Sequence, residues 1–166
     1  MVNIVVACTI SGGIGINNQL PWKISDEIKM FKMITDNSVV IMGYNTWNSL
    51  PKKPLVNRFN IILTKDPNKK INIEQNYNSQ DVTVFSDIDE VLSKFNSSKC
   101  FFIGGATIYN KLIRDNLVSE AHISIINDNY ECDTFIDINL LRDREHEIIS
   151  RQVFDKFTYM HIRFPN

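Results

Sequence analysis

Residues 2–9 read Val-Asn-Ile-Val-Val-Ala-Cys-Thr, an apolar run interrupted only by Asn3. The run is too short for a transmembrane helix and rich in β-branched residues, which favour strands. A strand that is apolar at nearly every position, not at alternate ones, must be covered on both faces, as in the interior of an α/β sheet. Runs read as strands recur at 38–42, 58–63, 82–85 and 100–103. Helical patterns lie between them, from about residue 26 to 35, after Gly43, from Ser86 to Phe95 and after Gly105, with Ser86 and Asp89 forming a capping-box-like start. Residues 66–81, rich in Asn, Lys and Gln around Ile71 and Ile73, read as an edge strand between loops. Three more strands are predicted at 121–126, 146–154 and 157–164. The last two meet at Asp155-Lys156, and Thr158, Met160, Ile162 and Phe164 alternate as in an antiparallel hairpin. The fold class predicted is therefore α/β: a mostly parallel central sheet, closed at one edge by a C-terminal antiparallel hairpin, with helices on both faces. With 166 residues, 43% of them hydrophobic, the chain suits one domain over 1–166.

A formal net charge of -1, with no basic stripe, argues against nucleic acid or an anionic membrane as partner and favours a small molecule. The opening run has no basic leader, so a cytoplasmic protein is expected. Cys8, Cys100 and Cys132 are odd in number and far apart, which fits reduced thiols. His122, His146 and His161 share no ligand spacing with them, and no metal site is expected.

Chemistry is most legible in Leu20-Pro21-Trp22-Lys23-Ile24-Ser25-Asp26-Glu27 and the helix that follows. Ser25 suits an N-cap, and Ile24, Ile28, Phe31 and Ile34 mark an inward face. Glu27 falls near that face and Asp26 away from it. A carboxylate against apolar side chains loses hydration and becomes suited to proton handling or to gripping a cation. The alternative is commoner: two first-turn acids favoured by the helix dipole. Gly43 and the Gly104-Gly105 pair each end a strand where a helix begins. Such turns either present backbone N–H groups to a phosphate or simply pack closely. Thr64 and Lys65 follow a strand at the sheet end where ligands of α/β proteins sit, although a lysine there is usually just solvated. The loop 11–19 is glycine-rich and long enough to move, but its spacing does not fit the three-glycine dinucleotide fingerprint.

Taken together, Leu20-Pro21-Trp22, Glu27 four before Phe31, Val40-Ile41-Met42-Gly43 with Thr46-Trp47, Arg58 leading into Asn60-Ile61-Ile62-Leu63, Ile103-Gly104-Gly105, Tyr109 and Asp133-Thr134 resemble dihydrofolate reductase in order and spacing. The resemblance covers nearly the whole chain; only 68–80 and the loop after Asp137 lack landmarks. It implies reduction of 7,8-dihydrofolate with NADPH as cofactor.

By the same resemblance, Glu27 is the acid that hydrogen-bonds the pterin and assists protonation at N5, Trp22 helps arrange water nearby, and Ser124 links to the acid. The resemblance implies substrate contacts from Val5, Val6, Ala7, Glu27, Ile28, Phe31, Leu50, Leu55, Arg58, Ile103 and Ser124, with Arg58 clamping the α-carboxylate of the glutamate tail. Cofactor contacts are implied for Ala7, Ile14, Gly43, Tyr44, Asn45, Thr46, Leu63, Thr64, Lys65, Ile103, Gly104, Gly105, Ala106, Thr107, Ile108 and Tyr109. Thr64 and Lys65 are implied to hold the 2′-phosphate, and the Gly104-Gly105 peptide is implied to be cis. The chain departs from the pattern at Tyr44-Asn45, where many relatives carry a basic residue, at Leu20 for Met, and at Ile136-Asp137 for Phe-Pro. Expected partners are dihydrofolate alone, with the chain a monomer or a domain fused to thymidylate synthase. Alternatives are a related pterin or pyrimidine reductase, against which Arg58 argues, and a non-catalytic folate- or NADPH-binding module.

Overall fold

The computed structural model describes residues 1–97 and 99–166. In chain order the elements are β1 (Asn3–Thr9), β2 (Gly13–Gly15), α1 (Ser25–Thr35), β3 (Val39–Gly43), α2 (Tyr44–Ser49), β4 (Phe59–Leu63), α3 (Pro67–Asn76), β5 (Val82–Phe85), α4 (Ile88–Lys94), β6 (Cys100–Gly104), α5 (Ala106–Arg114), β7 (Glu120–Ile126), β8 (Thr134–Phe135), α6 (Ile138–Asp143), β9 (Glu147–Val153) and β10 (Phe157–Arg163). Eight strands form one sheet in the order β5-β4-β3-β6-β1-β7-β10-β9, and β2 pairs with β8 in a small second sheet. Every pairing from β5 to β7 is parallel, while β10 runs antiparallel to β7 and to β9. The α/β class and the closing hairpin are thus those expected from the apolar runs.

The unbroken run at the N-terminus has its predicted place. As β1 it lies between β6 and β7, and its side chains alternate between two packed layers. Ile4, Val6 and Cys8 enter a cluster with Leu112, Ile113 and Phe102. Ala7 belongs to a different cluster, with Trp22, Ile24, Met30, Phe157 and Tyr159. A third cluster packs Val40, Met42, Trp47, Ile62 and Ile73 over the β3–β5 end of the sheet. Burial of the Cys8 thiol pushes it up to about 12, so it is a core side chain and not a nucleophile. No helix among the described residues is long and apolar enough to cross a membrane.

Three local expectations are corrected. Residues 67–76 form a helix, not an edge strand: the Asp66 carboxylate accepts from the amides of Asn68 and Lys69, Pro67 occupies the first turn, and Ile73 alone is buried. The edge strand at this end of the sheet is β5. In α1 the cap position is Ile24, extended and without a side-chain cap, so Ser25 is the first helical residue. In α4 the cap is Asp87, whose carboxylate accepts from the Glu90 amide, while Ser86 donates to the Glu90 carboxylate. The alternation expected for β10 holds: Met160, Ile162 and Phe164 pack on one face and Phe157 and Tyr159 on the α1 side, while the register shift against β9 falls at Ile149. The pairing of β2 with β8 and the helix α6 have no counterpart in the predicted elements.

Asn60 is fully buried in β4 and serves the loop before it. Its Oδ1 accepts from the Leu55 amide at 3.0 Å, and its Nδ2 donates to the carbonyls of Leu55 and Arg58 at 2.9 and 3.0 Å. Removing that amide leaves part-buried backbone groups at Leu55 and Arg58 without their partner. Asn60→Ala is expected to lower the unfolding free energy by about 2–4 kcal/mol in urea titrations. A change under about 0.5 kcal/mol, typical of a surface site, would refute this clamp.

Candidate active site

The C-terminal ends of the parallel strands, the start of α1 and the face of β1 that carries Val5 and Ala7 converge on one region. Glu27 is half-buried there, whereas its neighbour Asp26 is exposed. Loss of hydration pushes the Glu27 carboxyl up to about 7 from an ordinary value of 4.5. The Tyr109 hydroxyl donates to the Val5 carbonyl at 2.6 Å, and the phenol is raised by burial, then by the charges of Cys8 and Glu27. Ser124 is buried and sits in register with Ala7 on one side and Tyr159 on the other, so the three share a face. Trp22 is 5% exposed and lies edge-on to Tyr130 at 5.6 Å. Its Nε1–H is buried without a hydrogen-bond partner among the described residues, a donor that bound water or ligand would satisfy.

The apolar face of α1 is divided. Ile24 and Met30 are buried, Phe31 and Ile34 are partly buried, and Ile28 is 49% exposed. Ile28 therefore does not enter the core as its spacing predicts, because one strip of the helix faces the open region beside Glu27. Val6 is also displaced from its expected role: strand alternation sends its side chain into the cluster on the opposite face, leaving only its main chain near Val5 and Ala7. Leu50, Leu55 and Ile103 are partly buried against Val40, Met42 and Trp47.

Arg58 sits just before β4. Its Nε donates to the Val56 carbonyl at 2.9 Å, its Nη1 donates to Thr35 Oγ1 at 3.0 Å, and the guanidinium carbon lies 6.0 Å from the Phe31 ring centre. Burial lowers its pKa and the Asp36 carboxylate opposes that. The Thr35 hydroxyl itself donates to the Phe31 carbonyl at 2.8 Å, so the end of α1 fixes the guanidinium while leaving its remaining donors unused by these contacts. Thr35 and Asn60 were not among the predicted site residues. Asn60 carries a signal, a polar residue between Phe59 and Ile61 close after Arg58, whereas Thr35 stands beside Asp36 and Asn37 and nothing in sequence links it to Arg58.

Two βα turns lie side by side on the other half of the region. Gly104 has φ +128°, and a Cβ there would meet the Tyr109 ring at 3.2 Å. Gly104-Gly105 is cis. A Cβ on Gly43 would lie 3.2 Å from Ile108 and 3.9 Å from the Gly105 nitrogen, and one on Gly105 3.3 Å from Thr46 Oγ1. The helices that start here, α2 and α5, have no side-chain cap, in contrast to α3 and α4 with their aspartates. Uncapped amides beside turns where a Cβ would crowd Ile108, Tyr109 or Thr46 fit the close approach of a pyrophosphate. Ile108 and Tyr109 are buried and shape these turns from behind, while Thr107, Asn45 and Lys65 are exposed and Ala106, Thr64 and Tyr44 partly so. Leu63 packs into the core, so only its main chain faces this side.

The glycine-rich loop is strapped over β1. The Gly13 amide donates to Thr9 Oγ1 at 2.9 Å, the Asp133 amide donates to the Gly15 carbonyl at 2.9 Å, and the Asn17 amide donates to the Asp133 carboxylate at 3.0 Å. Ile14, between the two glycines, is partly buried against the core. A separate cleft of about 600 Å³ lies at the opposite end of β3 and β4, lined by Asn37, Asn57, Arg58, Asp81 and Lys99. It touches Arg58 but none of the glycine turns, and it is not the centre described here. Among the described residues, no group of His, Cys, Asp and Glu is arranged to hold a metal ion.

Comparison with known proteins gives the same direction. A family model described as dihydrofolate reductase matches residues 1–164. A bifunctional dihydrofolate reductase-thymidylate synthase from Paramecium tetraurelia is 36% identical over 140 residues, 83% of this chain but 28% of its own length. A dihydrofolate reductase from Ureaplasma parvum is 31% identical over 159 residues, covering 95% of this chain and 93% of its own. The structure of dihydrofolate reductase from Enterococcus faecalis complexed with NADP(H) and RAB-propyl superposes with a TM-score of 0.76 over 100% of this chain and 97% of that one, at 24% identity, and so shares the fold. The paired glycine turns, the half-buried acid at the start of α1 and the match along 1–164 lead to one conclusion: this chain belongs to the dihydrofolate reductase family.

Proposed function

We propose that the chain reduces 7,8-dihydrofolate to 5,6,7,8-tetrahydrofolate with NADPH, one hydride passing to C6 and one proton to N5. The observation that carries this reading is Glu27, a carboxyl in an apolar setting whose pKa near 7 lets it hold a proton at working pH. NADPH, when bound, supplies the hydride. The residues suited to hold it are those of the two glycine turns, with Ala7 and Ile14 beside the nicotinamide and Thr64 and Lys65 at the 2′-phosphate.

The chain's own part is to bind, orient and protonate. Ile28, Phe31, Leu50, Leu55 and Ile103 would cover the pterin and benzoyl rings and keep water from the reacting carbons. Glu27 would accept hydrogen bonds from the pterin and favour its protonated form. Trp22 would use its orphaned Nε1–H to fix a water near that acid, and Ser124 would bond to the acid's side of the ring. Arg58, held by Thr35, would grip the tail's α-carboxylate through two parallel N–H bonds. This favours a tailed substrate over a bare pterin or pyrimidine. A cytoplasmic enzyme of one domain, monomeric or joined to a thymidylate synthase as in the Paramecium relative, completes the proposal.

The direct test is loss of reduced-nicotinamide absorbance when dihydrofolate meets purified protein and NADPH. No oxidation by folded protein would instead support a folate- or NADPH-binding module. Glu27→Gln is expected to lower turnover at neutral pH by about 10²–10⁴-fold, with part recovered at acid pH where the substrate is already protonated. Full activity at neutral pH would remove Glu27 from the proton step. The same variant should be the more stable protein. Because the folded-state pKa of Glu27 is raised, the wild type loses stability as pH rises from about 4.5 to about 7, by roughly 1–3 kcal/mol, while the glutamine variant does not. The gap in melting temperature should therefore be near zero below pH ~4.5 and full above pH ~7.5. A pH-independent gap would contradict the assignment.

Two substitutions probe binding. Arg58→Leu should raise KM for dihydrofolate by about 100-fold but leave a tail-less dihydropterin unaffected. Lys65→Gln should weaken NADPH far more than NADH; equal weakening would take Lys65 away from the phosphate.

A further inference from the structure

The turn after β3 carries Tyr44-Asn45 where a cation would serve a phosphate best, yet the fold brings a cation to it from elsewhere. Gly43 and Leu63 are register partners on adjacent parallel strands, so Tyr44 and Thr64 leave the sheet side by side. Lys69, in the first turn of α3, reaches back to Tyr44. Its ammonium stands 4.3 Å from the centre of the Tyr44 ring. Three chain segments thus meet at one point: the start of α2, the end of β4 and the start of α3.

We infer that Lys69, held over Tyr44, is a specificity-determining residue that binds the 2′-phosphate of the cofactor together with Thr64 and Lys65. The inference rests on the NADPH reading above and assigns to α3 the cation missing after Gly43. The local contacts favour the side chain over the helix end. The Asp66 carboxylate already accepts from the amides of Asn68 and Lys69 at 2.9 and 3.4 Å, and the Asp66 amide donates to Thr64 Oγ1 at 3.2 Å, so the first amides of α3 are engaged internally. Asp66 also puts a negative charge at this corner, so a dianion needs more than one cation to bind here. The next lysine is turned to other work: Lys70 lies 3.9 Å from Glu74. Among the described residues, no carboxylate lies within ion-pair distance of Lys69. The aromatic face holds the ammonium in place without neutralising it. Lys65 is exposed just past the end of β4 and adjacent to Thr64, so a phosphate bound at this corner would draw on two cations and the Thr64 hydroxyl.

The test compares Lys69→Met, which keeps an unbranched stem on Tyr44 without the charge, with Lys69→Arg, which keeps the charge. Calorimetric titration of the protein with adenosine 2′,5′-bisphosphate and with adenosine 5′-monophosphate reads the phosphate contact without turnover, and KM ratios for NADPH and NADH read it in the reaction. Lys69→Met should cut the preference for the 2′-phosphorylated ligand by about 10- to 100-fold, Lys69→Arg should keep most of it, and Tyr44→Arg placed on the methionine variant should restore it. Lys69→Met with an undiminished preference would overturn the inference and leave Tyr44 and Lys69 a surface contact. A wild-type protein that shows no preference between NADPH and NADH would instead count against the NADPH reading itself, a separate failure.

Discussion

Parallel pairing of β1 between β6 and β7 is the constraint on which the rest of the molecule depends. It commits alternate side chains of one short segment to two different layers. Ile4, Val6 and Cys8 anchor the face that packs against α5, and Ala7 faces the α1 side with Trp22. Because neighbouring strands run in the same direction, their C-terminal ends, and the glycine turns that follow β3 and β6, are delivered to one edge. The main chain of β1 also fixes the edge from behind, since the Val5 carbonyl receives the Tyr109 hydroxyl and Tyr109 in turn fills the space beside Gly104. The candidate site is therefore a consequence of strand direction and register, and its loops are adjustable additions to it.

Within that frame Glu27 is kept where water cannot fully solvate it, at a cost to the folded state. Its neighbour Asp26 is exposed on the same turn, so position on the helix decides which of the two acids turns toward the apolar side. Arg58 illustrates a second strategy. Its guanidinium is pre-aimed by Thr35 at the end of α1 and by the 55–58 loop, which the buried Asn60 ties down. Helix, loop and strand thus converge on one cation, so that little ordering is left to be done when a carboxylate arrives.

How much of this was legible in the sequence depends on whether the cause was local. Uniformly apolar runs read correctly as interior strands, because covering both faces leaves a direct compositional trace. The segment at 67–76 was misread because its helix is set by Asp66 and Pro67 and buries a single residue, Ile73, so it leaves almost no periodic signal. Ile28 carried core spacing yet is exposed, since an apolar stripe looks the same whether it faces a core or a cleft. The β2–β8 pairing joins two- and three-residue strands more than a hundred positions apart, and no local pattern marks it. At the site, the residue types were legible and their support was not. Glu27, Arg58 and the glycine pairs stand out in sequence, whereas Thr35, Asn60 and Lys69 act through contacts that only the fold creates.

The claim from which the functional reading follows is that the Glu27 carboxyl holds its proton near neutrality in the free protein. The most direct check is a pH titration of carbon-13-labelled glutamate side chains by NMR, with Glu27→Gln identifying the resonance. The account requires a midpoint near 7. A midpoint close to the ordinary 4.5 would mean that Glu27 is hydrated in solution, and the proposed proton step would lose its donor.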